Sequence, residues 1–266
     1  MRGRRRAGGG TGGLTMLTRY AALWQTMLYN RDWLRYFGAR LTDPGDDRDL
    51  SFRLRNGQTA TVRGSMRAAL NEIYLHRVYD IPGLDYRGCR QLFDFGANAG
   101  LFALYVAARA PAARIACFEP AVANFATLQR NLADNGVQAQ AFRMAVSTVC
   151  ELRRLSLAGG SGQYRLDGTA DDFEYVTCVD LARVFELTGA ATCDFLKMDI
   201  EGEELALLLR TPLADLRRIR AMAMEWHHPD AQLAEVRERL SAAGFDSWVE
   251  HVGHDRHQVM LKARQP

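Results

Sequence analysis

LFDFGANAGLFALYVAARAPAARIACFEP, residues 92–120, decides the fold. Leu92–Phe95 is a short apolar run, a turn holding Gly96 and Gly100 follows, a helical run covers about Gly100–Ala110, and Ile115–Phe118 is a second apolar run. Strand, helix and strand in this order predict two parallel strands joined by a right-handed crossover. The pattern repeats downstream as helix Ala121–Asn135, strand Val137–Val146, helix Leu181–Leu187, strand Phe195–Ile200, helix Glu203–Arg210, strand Ala221–Trp226 and helix Asp230–Ala243. Trp248–Val252 and Gln258–Lys262 are separated only by Gly253–His257, too short a link for a parallel crossover, so they predict an antiparallel hairpin at the end of the sheet. The result is an α/β chain folded as a three-layer sandwich around a mostly parallel sheet of seven strands. Residues 149–176, with Gly159, Gly160, Gly162 and Gly168, break the alternation and read as an insert over the carboxyl edge of the strands.

Upstream of this block, Leu17, Tyr20, Ala21, Trp24, Met27 and Leu28 recur at helical intervals. They predict one amphipathic helix over 14–38, open to a break before Trp33, with Gly38 as its stop. Packing onto its own domain is favoured over a membrane-surface role. Leu50, Phe52 and Leu54 then alternate with polar residues, Asn56-Gly57 follows, and alternation resumes through Ala60 and Val62. Asn-Gly between two such runs predicts a hairpin whose two central residues both take positive φ. Met66, Leu70, Ile73 and Tyr74 mark a helix that ends before Ile81-Pro82-Gly83.

Composition bounds the function. At 266 residues, 48% hydrophobic and 24% charged, the chain can bury a sizeable core without a staple. Net charge is +3, and Arg2, Arg4, Arg5 and Arg6 account for it, which argues against a basic nucleic-acid-binding face. The five cysteines form no C-x-x-C pair and read as reduced thiols of a cytoplasmic protein. No apolar run approaches the roughly 20 residues of an integral membrane segment. Residues 1–13 have the basic start of a signal peptide but Gly-rich sequence in place of its apolar stretch, so they predict a disordered tail.

In wound sheets of this kind ligands bind at the carboxyl ends of the strands, where the winding direction reverses. That directs attention to Asp94-Phe95-Gly96-Ala97-Asn98-Ala99-Gly100. Asn98 stands where a G-x-G-x-x-G fingerprint has the glycine that admits a pyrophosphate, so a dinucleotide is disfavoured. Glu119 follows Asp94 by 25 residues, at the end of the second strand, where a carboxylate can accept both hydroxyls of a ribose. A nucleoside with cationic groups and no phosphate fits this edge, and S-adenosylmethionine is such a ligand. Glu119-Pro120 also fits a plain helix start, and both readings can hold at once.

The fourth parallel strand ends in Lys197-Met198-Asp199-Ile200-Glu201-Gly202-Glu203-Glu204. Alternation sends Lys197, Asp199 and Glu201 to one side, and charged groups at a buried strand tip are costly unless paired or acting on a ligand. Lys197 and Lys262 are the only lysines in an arginine-rich chain, which suggests a need for a compact ammonium at the first position. The plain alternative is a Lys197–Asp199 or Lys197–Glu204 ion pair that only holds the strand end. The fifth strand ends in Glu225-Trp226-His227-His228, where a histidine can serve as a base near neutral pH. Asp199, Glu201 and His227 are metal-ligand types without tight spacing, so no metal is expected.

These residues carry a resemblance. LFDFGANAGLFAL (92–104), ACFEPAVANFATLQRNL (116–132), Ala145–Ser147 and above all FLKMDIEGEELALL (195–208) resemble the motifs of the FkbM family of S-adenosylmethionine-dependent methyltransferases, and the likeness runs over about residues 50–263. It implies a class I methyltransferase fold, Rossmann-like, with the last of seven strands inserted antiparallel. It implies O-methylation of a hydroxyl on a sugar, another glycan or a polyketide-type small molecule. By position, Asp94, Gly96, Ala97, Asn98 and Gly100 would line the methionine end, Glu119 with Pro120 would hold the ribose, and Ala145, Val146 and Ser147 would lie near the adenine. Residues 14–84 would be an extension and 85–266 the cofactor-binding domain. Asp199 is the first choice for the base that takes the hydroxyl proton, Glu201 or His227 the reserve, and Lys197 would orient the acceptor or the carboxylate. The competing readings are a nicotinamide-dependent oxidoreductase, which Asn98 disfavours, a non-catalytic nucleoside-binding protein, and a nucleic-acid-modifying enzyme, against which the lack of an N-P-P-Y-like tetrapeptide also weighs.

Overall fold

The computed structural model describes residues 24–42, 48–158, 162–167, 169–252 and 258–266. Residues 1–13, Leu17, Tyr20 and Ala21 of the expected first helix, Gly159, Gly160 and Gly168, and the link 253–257 lie outside them. Thirteen strands are described: β1 Asp49–Arg53, β2 Thr59–Arg63, β3 Gln91–Phe95, β4 Arg114–Phe118, β5 Ala139–Phe142, β6 Ala145–Val146, β7 Leu152–Ser156, β8 Arg165–Leu166, β9 Phe173–Val179, β10 Phe195–Met198, β11 Ala221–Glu225, β12 Asp246–Val252 and β13 Gln258–Arg264.

Seven of them form the main sheet, in the order β12-β13-β11-β10-β3-β4-β5. β5, β4, β3, β10 and β11 are parallel, while β13 lies antiparallel between β11 and β12. The last strand is thus inserted into the sheet rather than added at its rim. Chain order runs outward from β3 to β4 and β5, then restarts on the other side at β10, so the winding reverses between β3 and β10. Every residue of β3 is buried, as expected for a central parallel strand covered on both faces.

Two apolar layers enclose the sheet. On one face Leu101–Val106 of the helix Leu101–Ala107 and Leu128 and Leu132 of the helix Val122–Asp134 pack with Phe52, Val62, Leu70 and Tyr79 from the N-terminal residues. On the other, Val184 and Phe185, Leu207 and Leu208, and Val236 and Leu240 come from three further helices. The edge of β2 is satisfied by side chains in place of a strand. Asn131 accepts the Thr61 N–H (2.8 Å) and donates to the Thr61 carbonyl (2.7 Å), and Asn135 treats Thr59 in the same way. Those bonds fix the hairpin, and the segment after it, over the carboxyl ends of the main strands.

Several sequence-based expectations change. The N-terminal helical run is broken at 30–32, before Trp33, but Gly38 does not stop it: the helix Trp33–Thr42 passes through that position. In the β1–β2 hairpin only Gly57 takes positive φ (92°), because the Gly57 N–H bonds the Leu54 carbonyl in an ordinary turn and the glycine then closes the loop. Residues 64–76 are not one regular helix. They pass from a tight 3₁₀ turn to a single α turn and then to a wide π turn, Asn71–His76, stopped by Arg77 in the left-handed region (φ 51°). The expected strand Val137–Val146 splits after Phe142: β5 stays in the main sheet, while β6 pairs with β9 in a second sheet of order β6-β9-β7-β8. The insert therefore contributes β7, β8 and β9, with β7 antiparallel to both others, and β6 lies parallel to β9.

Candidate functional site

A cavity of about 780 Å³ opens at the carboxyl ends of the central strands, where the winding reverses. The turn Gly96–Ala99 forms one side, with Glu119, Pro120, Ala145 and Val146 beside it. Lys197, Asp199, Glu201, Glu225 and His227 form the other. Met66, Glu72, Ile73 and Tyr79 reach in from the N-terminal residues, and Leu155, Tyr164 and Arg165 from the insert.

The turn is shaped by three positive φ angles, at Gly96 (69°), Asn98 (48°) and Gly100 (77°). A Cβ on Gly96 would lie 1.7 Å from the Asp199 carbonyl oxygen, so this glycine lets the turn lie directly against the loop after β10. Gly100 is not on the cavity wall; a Cβ there would meet the Leu128 side chain at 2.4 Å, so it serves the packing of one helix on the next. Glu119 is 5% exposed and accepts the N–H of Asn98 (2.8 Å) and of Ala121 (3.0 Å). Burial pushes its carboxyl up to about 7 in spite of those bonds, so it titrates near neutrality at the cavity wall.

Asp94 and Ser147 also stand behind the wall. Asp94 is fully buried and forms an ion pair with Lys197 (Oδ1 to Nζ 3.2 Å), its register neighbour on β10. Ser147 donates to Glu203 (2.5 Å) and accepts from Arg153 (2.6 Å). Lys197 donates to the carbonyls of Gly96 (2.6 Å) and Phe95 (3.3 Å) and lies 3.8 Å from Asp199 Oδ2. Burial alone would lower its ammonium, but Asp94 and Asp199 hold it above the usual value, so it stays charged. It pins the glycine turn and faces the Asp199 carboxylate; a Lys197–Glu204 pair does not form among the described residues.

Glu204 holds the acidic loop instead. It is fully buried, accepts the N–H groups of Ile200 (3.1 Å) and Gly202 (3.0 Å), and lies 3.0 Å from His227 Nδ1 and 3.1 Å from His228 Nε2. Despite burial its carboxyl is held down at about 2 by the two histidines. His227 Nε2 faces Glu201 (3.6 Å), Glu225 (3.7 Å) and Asp199 (3.9 Å). Burial lowers the imidazole, but the Glu204 bond and the surrounding carboxylates win and raise it from 6.5 to about 9. These neighbours favour the protonated ring, the form that does not accept a proton. Glu201 and Glu225 are both pushed up to about 7, in each case chiefly by burial. Asp199, Glu201 and His227 bring ligand-type atoms within 4.8 Å of one another.

The pKa of His227 carries a prediction. Because its folded value lies above the free one, the imidazolium stabilises the fold fully below pH 6.5 and loses that contribution as pH rises through about 9. Thermal unfolding midpoints should fall as pH rises from about 8 through 9, above the range in which Glu119, Glu201 and Glu225 titrate. His227→Gln should start lower and follow a flatter curve; an equal slope in both proteins would remove His227 as the cause.

Glu72 and Tyr79 were not legible as site residues, and Glu204 was legible as a motif residue and a possible partner of Lys197 but not as the group that holds the two histidines. Tyr79 donates to Asp199 Oδ2 (3.1 Å), and Glu72 looks onto Asp199 and Glu225 from the π turn. Nothing local in the sequence marks the first two. The spacing of Glu204 from Asp199, together with the His-His pair after β11, was the available signal for the third.

A parallel sheet with its last strand inserted antiparallel, bearing a glycine turn and an acidic second strand end at the winding switch, defines a class I methyltransferase. A family model described as "Methyltransferase FkbM domain" matches residues 94–247, and the chain belongs to that family. It is 29% identical over 251 residues to the 31-O-demethyl-FK506 methyltransferase FkbM of Streptomyces tacrolimicus, covering 80% of this chain and 96% of that protein. It is 28% identical over 209 residues to the methyltransferase sdnD of Sordaria araneosa, covering 66% and 80%. Among solved structures, the N-terminal domain of human METTL16 in complex with SAH is similar with a TM-score of 0.46 at 12% identity, over 86% of this chain and 93% of that one.

Proposed function

We propose that the protein transfers a methyl group from S-adenosylmethionine to a hydroxyl of a small-molecule acceptor, a sugar or a polyketide-type natural product. One observation carries the reading: a single cavity joins the Gly96–Ala99 turn and Glu119 to Asp199, with the turn in backbone contact with the Asp199 loop. The residues suit the cofactor. Glu119 offers a carboxylate for ribose hydroxyls, and Asn98 replaces the glycine that would admit a pyrophosphate. The relative that spans nearly the same length is named for methylation at an oxygen.

When bound, S-adenosylmethionine supplies an electrophilic methyl on a sulfonium. The chain's part is to align the acceptor oxygen and accept its proton. An alcohol has a pKa near that of water, about 15.7, so a positioned base helps as the bond forms, typically by about 10²–10⁴ in rate. Asp199 is the base in this reading. Tyr79 and Lys197 both meet its Oδ2, and Oδ1 lies 3.9 Å from His227 Nε2. Glu201 is the reserve, at the same wall.

Calorimetry tests the cofactor half: S-adenosylhomocysteine should bind and NADH should not, whereas the reverse would make the chain an oxidoreductase. Incubation with extract and methyl-labelled cofactor, followed by identification of the product, tests the acceptor half; label recovered on nitrogen or carbon would overturn the hydroxyl assignment.

A further inference from the structure

The helical residues 24–29 turn Trp24, Gln25 and Leu28 outward and Thr26 inward, with Tyr29 packed against the core and stacked on Tyr74. Thr26 and Asn30 are fully buried, and Thr26 Oγ1 (3.4 Å) and the Tyr29 hydroxyl (2.5 Å) both bond Asn71 Oδ1. On the other side Trp24 is 67% and Leu28 71% exposed, one helical turn apart, and the next helix adds Leu34 at 68%. Single exposed apolar residues are ordinary, but three large ones within residues 24–34 on a helix anchored by its polar side are not.

Among the described residues the charge around them is mostly positive. Arg31, Arg35, Arg48, Arg53 and Arg55 are exposed. Arg55 Nε donates to the Met27 carbonyl (2.5 Å) and Arg35 to the Ser51 carbonyl (3.3 Å), so both guanidinium groups are held beside these helices. The described acids beside them are engaged, Asp32 with Arg53 (2.6 Å) and Asp49 with Arg130 (2.6 Å). A tryptophan and leucines flanked by arginines match an interface of acyl chains and anionic headgroups: the rings and branched chains enter the boundary, and the guanidinium groups stay at the charged level.

We propose that this face is a peripheral docking site for an anionic lipid surface. It is independent of the cofactor reading, and no described helix is long and apolar enough to cross a membrane. Docking there also has a structural consequence. Asn71, which anchors the exposed helix, directly precedes Glu72 on the cavity wall, so the membrane-facing element is bonded to the wall of the candidate acceptor site.

Co-sedimentation of the full chain with phosphatidylcholine vesicles, with and without phosphatidylglycerol, tests the proposal. Binding should require phosphatidylglycerol and weaken with salt. It should fall by roughly tenfold or more both in Trp24→Ser/Leu28→Ser and in Arg31→Gln/Arg35→Gln, while far-UV circular dichroism and the thermal midpoint stay as in the wild type. Absence of binding to phosphatidylglycerol vesicles, or binding unchanged in both double variants, would overturn it. Sedimentation equilibrium covers the remaining outcome: a wild-type dimer that dissociates in Trp24→Ser/Leu28→Ser would make a second copy the occupant and defeat the lipid assignment.

Discussion

Asp199→Asn should leave S-adenosylhomocysteine affinity within about threefold of wild type and reduce methyl transfer by about 10²–10⁴, the usual contribution of a positioned base. The substitution keeps shape and the oxygen that accepts from Tyr79 while removing the negative charge and the proton-accepting capacity. Lys197 keeps Asp94 and the Gly96 carbonyl, so the turn should not move. Single-turnover transfer to the labelled acceptor, beside calorimetry with the product cofactor, separates the two effects. The neighbouring carboxyls make the experiment sharp. Glu201→Gln and Glu225→Gln change the same pocket charge but remove groups already half-protonated near pH 7, so each should cost less than Asp199→Asn. Retained turnover in Asp199→Asn with loss in Glu201→Gln would move the base two residues along the loop.

What the sequence could supply here was whatever is local in the chain. Five of the seven main strands were legible as apolar runs alternating with helices, and the other two, the hairpin at the end, because their link is too short to cross over. The insert was legible as a break in the alternation but its strands were not, because they are short and half polar: β8 is two residues and β7 reads LRRLS. The break after Phe142 depends on β6 finding β9 across some thirty residues, which no periodicity within Val137–Val146 can report. At the site, the glycine turn, Glu119 and the acidic loop were all visible as motif residues. Their division into wall and support was not. Asp94, Gly100 and Ser147 match the motif but serve Lys197, Leu128 and Glu203 from behind the wall. The charge of His227 is legible only once Glu204 is known to be buried against it, and Glu72 and Tyr79 enter through tertiary packing of a segment more than one hundred residues away from Asp199.

Gly96→Ala is expected to have the widest effect of any single methyl added to the chain. Two costs combine. The residue sits at φ 69°, where an L side chain is strained by about 1–2 kcal/mol. Its Cβ would also lie 1.7 Å from the carbonyl oxygen of Asp199 and 2.8 Å from the carbonyl carbon, both backbone atoms that cannot rotate away. Either the turn or the acidic loop must retreat by more than an ångström, and displacement on that scale typically costs on the order of 10²-fold in an aligned reaction. The turn that moves carries the Lys197 bond and the wall of the proposed cofactor half; the loop that moves carries the proposed base. S-adenosylhomocysteine affinity should therefore fall by roughly 10²-fold or more, with stability lower by about 2–4 kcal/mol. Gly57→Ala is the control, because its φ is 92° but nothing lies within 4 Å of its Cβ, so it carries the conformational strain without the collision. It should lose about 1–2 kcal/mol in denaturant unfolding and keep full cofactor affinity. If the two variants bind S-adenosylhomocysteine equally well, the contact between the turn and the Asp199 loop is not what builds the site.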